Sequence, residues 1–348
     1  MGCLAAWGHE NHLAGFPEGP LLRAAREKGI KTFPLRVRSH VDFRPAFFLR
    51  RLTAGEKYDI VHFHTSRAHA LSFFMGGAAR AAKYVVTRRM DYAVGRDWYH
   101  RRLYNRCVDG VVAISQTIAD ILEACGVERG RIQVIYSGVE ISRFVSSSAL
   151  DPARDPVVIG VVAALEERKG HRFLLEAAAA LKRDGLAARY RFAGAGKEEG
   201  SLRRLAAELG LAEEVAFLGF VADIPAFLAG VDIFVLPSLY EGLGVAALEA
   251  MAARKPVVAA GVGGLRELVE EGVTGLLVPP RDPRSLTRAL ASLISSGGLR
   301  VEMGQRGRRR VEEDFTMERM AKRNEDYYYE LIGRRSGAEV RGIGAKLG

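Results

Sequence analysis

The chain has few cysteines, no long apolar run and no paired-aspartate motif, and each deficit removes a class of function. Cys3, Cys107 and Cys125 are odd in number and far apart, which argues against a disulfide framework or a thiolate metal site and fits reduced thiols in the cytosol. No uncharged stretch approaches the roughly 18 residues of a membrane span, and the opening MGCLAAWGHENH lacks the charged region and apolar stretch of a signal peptide. Residue 6 is alanine, so the myristoylation pattern fails as well. Asp-x-Asp is absent, and Gly194 and Gly196 in AGAGK lack the third glycine of a dinucleotide fingerprint, which disfavours a nicotinamide dehydrogenase.

What is present in quantity is chain length and positive charge. The 348 residues exceed one typical core and predict two domains of roughly 150 residues each. Of the net charge of +10, residues 1–150 carry 22 Lys and Arg against 13 Asp and Glu, a balance of +9. Residues 151–348 carry 29 against 28, a balance of +1, so the basicity belongs to the first half. An anionic acceptor or an acidic membrane face would be attracted there, although a plain solvated basic surface has the same composition. No nucleic-acid recognition motif accompanies it.

Along the first 150 residues, short apolar runs such as DIVHFH, YVVTRR, GVVAIS and IQVIYSG alternate with helical periods such as PLLRAAREKG and IADILEACG. That is the alternation of a doubly wound parallel sheet, and the fold class read here is α/β with two such domains. The expected organisation is a first domain at 1–150 with its linker at 146–156, a second at 151–315, a last helix at 316–333, and a disordered tail at 334–348.

The stretch from Pro237 to Glu249, PSLYEGLGVAALE, follows the strand-like VDIFVL and leads into helix formers that stop before Pro256. Strand, turn and helix in that order place the N–H groups of Gly242, Leu243 and Gly244 at the positive end of a helix, where a diphosphate can be held. Glu241 and Glu249 flank it. On one helix they would stand about 12 Å apart at ~1.5 Å per residue, too far for the carboxylate pairs of glycosidases. Gripping vicinal hydroxyls fits that separation better, the alternative being two ordinary solvated glutamates.

In this setting the carboxyl half resembles the retaining glycosyltransferases of family 4, which have the two-domain GT-B fold. The likeness runs through VVAALEERKGHRFLLEAA, RFAGAGKEEGSLRRLAAELGL and the long segment VAFLGFVADIPAFLAGVDIFVLPSLYEGLGVAALEAMAARKPVVAAGVGGLRELVEEGVTGLLVPPRDP, covering nearly all of residues 157–283. GVVAISQTIADILEACGVERGRIQVIYSGVEISRF extends it into the first half. The resemblance implies that Glu241 binds hydroxyls of a donor sugar, Glu249 the ribose of its nucleotide, and Gly242, Leu243 and Gly244 sugar and phosphate through their backbone. Lys169 of ERKG matches the family lysine that neutralises the departing diphosphate. The family arginine five or six residues earlier is replaced by Ala163 and Ala164, and Arg168 is the nearest substitute. Phe220 and Val221 match the region that frames the base, though Phe220 also fits a core position. Gly194 and Gly196 form a tight turn near the donor.

By the same resemblance the chain should open with a buried strand, a Gly-Gly loop and a long helix, whereas MGCLAAW reads as the second strand. The first unit is therefore expected to be missing, with poor stability or activity for the chain as written. His62 and His64 alternate along a strand and face one side near its end, for structural hydrogen bonds or acceptor contact. Arg89 stands where many family members have a cleft histidine and suits a charged partner, or is a basic loop residue.

The activity implied is retaining transfer from a nucleotide-diphosphate sugar, UDP- or GDP-linked, to a hydroxyl of a cell-envelope or lipid-linked glycan. No metal and no further cofactor are expected, nor any nucleic-acid partner. The expected place is cytoplasmic, with peripheral contact to the inner membrane face. Two rivals stay open: an epimerase-like GT-B enzyme acting on the donor alone, and a non-catalytic nucleotide-binding module.

Overall fold

The computed structural model describes residues 1–39, 42–76, 81–144 and 151–333. They fall into two compact units, one of Met1–Ile135 together with the chain from Glu318 onward, the other of Tyr136–Met317. Both are built on parallel sheets, as the alternation of short apolar strands with helices requires.

In the first unit, β1 (His12–Gly15) pairs with β2 (Lys31–Pro34), and β3 (Ile60–Phe63), β4 (Lys83–Arg88), β5 (Gly110–Ala113) and β6 (Ile132–Val134) form a second sheet in that order. Among the described residues no strand pairing joins the two sheets. MGCLAAW, expected as a strand, is instead helical over Gly2–Ala6. The helix ends as Gly8 takes a φ of 90° and the His9 N–H closes on the Leu4 carbonyl at 3.0 Å, so glycine decides a segment whose apolar residues suit either form. The core gathers Val85, Val112 and Ile135 around Tyr327 of the Met317–Leu331 helix. The Tyr327 hydroxyl donates to the Arg131 carbonyl at 3.1 Å and occupies the space beside Gly110, where a Cβ would lie 2.2 Å from its oxygen.

In the second unit, β7 (Val157–Val162), β8 (Ala188–Ala193), β9 (Val215–Phe217), β10 (Ile233–Leu236), β11 (Val257–Ala260) and β12 (Gly275–Val278) make one parallel sheet ordered β12-β11-β10-β7-β8-β9. Strands β10 and β11 are buried throughout, which is why they read as unbroken apolar runs rather than alternating ones. From β7 the chain winds through β8 and β9 to one edge, then returns to β10 and winds to the other. The direction reverses between β7 and β10, and ligand crevices of open α/β sheets form at the carboxyl ends of such a strand pair.

The chain enters the second unit earlier than composition suggests: residues 136–144, expected in the first domain, belong to the second unit. Packing explains the difference. The Val139 N–H donates to the Phe315 carbonyl at 2.9 Å, and a Cβ on Gly138 would lie 2.2 Å from the Thr316 carbonyl oxygen. Of the linker expected at 146–156, residues 146–150 lie outside the described residues, as does the tail at 334–348. No described helix is long and apolar enough to cross a membrane.

Candidate functional site

The candidate site lies at the reversal point. The loop after β7 delivers Lys169 and the loop after β10 delivers Glu241, and Lys169 Nζ lies 2.6 Å from Glu241 Oε2. Both side chains are largely buried, at 11 % and 14 % exposure, so the pair is held in place rather than swept by solvent. Ser238, fully buried, donates its hydroxyl to the same Glu241 oxygen at 3.1 Å. Two residues 72 apart are thus brought to contact by the order of the strands. An ammonium has three N–H donors, and one of those on Lys169 is spent on Glu241, leaving the others for an incoming anion.

The helix Val245–Ala252 starts directly behind Glu241. Its N-cap is Gly244, at φ 94°, and no side chain caps it. The first-turn N–H groups of an uncapped helix start are orphan donors that suit phosphate. Gly242, Leu243 and Gly244 are all buried in the ligand-free chain, Leu243 at 1 % exposure. Glu249 sits within this helix, half-buried, and burial raises the pKa of its carboxyl against the opposing pull of Arg143. The raised value means that the free protein holds the ionised form at a cost, so that stability falls as pH rises through the folded pKa. Glu249→Gln should therefore stabilise the ligand-free protein at neutral pH. If the ionised carboxylate grips a ribose, the same change weakens donor binding by about 10- to 100-fold, the worth of a charged hydrogen bond. A melting curve and a titration on the same variant check both signs, and unchanged affinity would remove Glu249 from the site.

Glycines set the frame. Gly170, at φ 67°, approaches Pro237 so closely that a Cβ would lie 2.1 Å from the Pro237 oxygen, while the Leu239 N–H donates to the Arg168 carbonyl at 2.8 Å. The loop of Lys169 is thereby bonded to the loop of Glu241. Gly194 and Gly196 perform the matching task on the other side, where Cβ atoms would lie 1.9 Å from the Ala163 oxygen and 2.3 Å from the Leu165 oxygen. The Gly194 N–H also donates to the Gly219 carbonyl at 2.7 Å, which brings Phe220 beside this turn. Phe220 is 83 % exposed, so it is no core residue, and its ring is open to stacking; Val221 next to it is half-buried. Arg168 does not join Lys169 at Glu241. It is exposed and paired with Glu166 at 2.7 Å.

In the first unit, His62 and His64 stack with ring centroids 4.2 Å apart at the carboxyl end of β3. Both nitrogens of His62 are engaged, Nδ1 with the Tyr328 hydroxyl at 2.5 Å and Nε2 with Thr87 Oγ1 at 2.7 Å, which gives it a structural role. The surrounding protein, then His64 and Arg89, push the His62 pKa well below its usual range. His64 keeps exposed surface yet is held neutral in the same way, its pKa lowered to about 4 by the protein around it and by Arg89. Arg89, exposed, follows β4 on the neighbouring strand end. Among the described residues no group of three or more His, Cys, Asp or Glu side chains is placed to hold a metal ion.

Three residues around Glu241 and Glu249 go beyond those the sequence reading names. Ser238 stands three residues before Glu241 in the same motif and could have been found by its spacing. Arg143 falls in the stretch expected to close the first domain, and Gly263, whose Cβ would lie 1.8 Å from the Glu241 carbonyl oxygen, belongs to a loop with no chemical signature of its own.

Residues 144–310 match the model of the glycosyl transferases group 1, and residues 2–143 match that of glycosyltransferase family 4. EpsD of Bacillus subtilis is 32% identical over 301 residues, spanning 78% of this chain and 78% of its own. The lipopolysaccharide core biosynthesis glycosyltransferase LpsE of Rhizobium meliloti is 30% identical over 273 residues, spanning 77% of this chain and 78% of its own. Among solved structures, Anabaena Alr3699/HepE in complex with UDP and glucose superposes with a TM-score of 0.77 at 21% identity, over 95% of this chain and 94% of that one. With both units matched and the loops after β7 and β10 meeting in a lysine–glutamate pair, the chain belongs to the family 4, group 1 glycosyltransferases.

Proposed function

We propose that the protein transfers a sugar, with retention of anomeric configuration, from a nucleotide-diphosphate sugar to a hydroxyl of a cell-envelope or lipid-linked glycan. The observation that carries this is the contact between Lys169 and Glu241 at an uncapped helix start. In this reading Glu241 accepts hydrogen bonds from the sugar hydroxyls, and Glu249 does so from the ribose. Gly242, Leu243 and Gly244 present backbone donors to the diphosphate, and Phe220 stacks on the base. Departure of the nucleoside diphosphate builds negative charge on its terminal phosphate. In this reading Lys169 and the helix N–H groups meet that charge, and preorganised donors of this kind lower a barrier by several kcal/mol.

UDP is the first nucleotide to try, because the fold neighbour HepE was crystallised with it, and GDP the second. The acceptor side is assigned to the first unit, where His64, held neutral, can accept or donate a hydrogen bond and Arg89 can pair with an anionic group. LpsE acts in lipopolysaccharide core biosynthesis, which favours an acceptor of that kind, met at a membrane face.

Melting the protein with UDP-, GDP- and ADP-sugars tests the reading directly. At 100 times its dissociation constant the true donor should add about 2.7 kcal/mol of stability, and its nucleoside diphosphate should be released only when a glycan acceptor is added. Stabilisation by none of the three would sink the proposal. Conversion of the donor to an isomer without acceptor would replace transfer with epimerisation.

A further inference from the structure

The helix Val245–Ala252 ends in four carbonyls that no further turn can satisfy. Three are met by the chain that follows, where the N–H groups of Ala253, Lys255 and Arg254 donate to Glu249, Ala250 and Met251. The fourth, on Ala252, accepts from Arg308 Nη1, 56 residues further on in the helix Gly297–Asp314. Arg308 is 6 % exposed and its Nε donates to Glu312 at 2.6 Å, so one bond aims the guanidinium and the other holds the helix end. The two helices touch there, since a Cβ on Gly307 would lie 3.4 Å from Met251 Cγ. Arg310 does the same for the short helix Leu265–Leu268, donating from Nε to the Leu268 carbonyl at 3.0 Å and from Nη2 to the Glu267 carbonyl at 2.9 Å.

Both of these helices start beside Glu241. A Cβ on Gly244 would lie 2.5 Å from Leu265 Cδ2, and the Gly264 N–H donates to the Glu241 carbonyl at 3.3 Å. The starts thus lean on each other and on the Glu241 backbone, while the ends are fastened to one and the same helix. No side chain caps the start at Gly244, so the direction of that helix is set by its packing and by its far end. At ~1.5 Å per residue the rod is only about 12 Å long, and a tilt permitted at Ala252 reappears at the first-turn N–H groups. A guanidinium at the carboxyl end also complements the helix dipole.

We infer that Arg308 and Arg310 are positioning residues for donor binding, fixing from behind the two helix starts that surround Glu241. The inference rests on the donor reading above for its purpose, but the hold on the helix starts can be measured without a ligand. Arg300 supplies the control. It lies on the same helix at 1 % exposure and donates to the Leu293 and Ile294 carbonyls at 2.7 and 2.9 Å and to the Pro152 carbonyl at 3.0 Å. It therefore caps the helix Pro283–Ile294, which presents nothing to Glu241 or Glu249.

The test combines hydrogen exchange of the ligand-free full chain with calorimetric titration by UDP and by GDP, both well below the melting temperature. In Arg308→Met the bonded amides at the helix starts, Ala247, Leu248 and Gly264, should exchange about tenfold faster, and the nucleotide that binds the wild type should bind about tenfold more weakly. Arg308→Lys keeps a donor for Ala252 and should recover most of both losses, while Arg310→Met should speed exchange at Gly264 most. Arg300→Met should lower the melting temperature by about 5 °C, as Arg308→Met does, yet leave nucleotide affinity and those three amides at wild-type values. Should Arg308→Met not fold, Glu312→Gln removes the charge that aims the guanidinium and should show the same changes at about two- to threefold. Wild-type affinity and exchange in the Arg308 and Glu312 variants overturn the inference, and so do losses in Arg300→Met equal to those in Arg308→Met. If the wild type binds neither nucleotide, the donor reading fails, and exchange at the helix starts still decides whether the arginines hold them.

Discussion

Glu241→Ala is expected to reduce sugar transfer by about 10³-fold or more, the scale on which losing a preorganised polar contact at the reacting centre is felt. The carboxylate has two tasks that alanine cannot share: it would grip the sugar hydroxyls, and it holds Lys169 at 2.6 Å. Its removal also leaves a largely buried ammonium without its partner, and breaking a buried pair in this way costs about 3 kcal/mol or more. Nucleoside diphosphate would re-pair that ammonium. The variant should therefore be less stable alone than the wild type, yet gain at least as much from UDP or GDP. Lys169→Ala should lose about 10²- to 10³-fold, and the double variant little more than the worse single, since the two groups act as a unit. Steady-state transfer and melting with and without nucleotide check these outcomes. Wild-type turnover by Glu241→Ala would remove Glu241 from the site.

How much of this is legible in the sequence depends on whether a feature is local. VDIFVL, the glycine-broken turn and the helix formers after it follow one another directly along the chain, so β10, the loop of Glu241 and the helix of Glu249 can be read from pattern and turn chemistry. The partnership of Lys169 with Glu241 spans 72 residues and is carried by family resemblance alone. Long-range partners with no motif stay hidden. His62 bonds Tyr328 across 266 residues, and no spacing rule says that the hydroxyl comes from the last helix. Arg143 faces Glu249 because the chain crosses into the second unit at Tyr136, earlier than the serine-rich stretch suggests. Composition marks a linker only where the chain is unpacked, and Val139 is bonded on both sides, to Phe315 and Met317. At the amino end, MGCLAAW offers too few residues for a period to be distinguished, and the glycine at position 8 outweighs them.

The geometry around Gly170 gives the second large effect. Alanine there meets two separate obstacles: a left-handed backbone at φ 67°, which costs an L-residue about 1 kcal/mol or more, and a Cβ 2.1 Å from the Pro237 carbonyl oxygen. The opposing atom is backbone, so relief requires the two loops to part. Those are the loops that present Lys169 and Glu241, and they are stitched by the bond from the Leu239 N–H to the Arg168 carbonyl close by. Gly170→Ala should accordingly lose about 2–4 kcal/mol of stability, and transfer should fall about 100-fold, as an ångström of misplacement commonly does. Gly185 supplies the control, because it has a φ of 77° and, beyond its own chain neighbours, nothing within 4 Å of where a Cβ would sit. Gly185→Ala carries the backbone cost without the clash, so about 1 kcal/mol of stability should go while turnover of the folded enzyme stays put. If Gly170→Ala behaved like Gly185→Ala in both measurements, the close approach of the two loops would have no part in holding the lysine against the glutamate, and the site would owe its geometry to the strands alone.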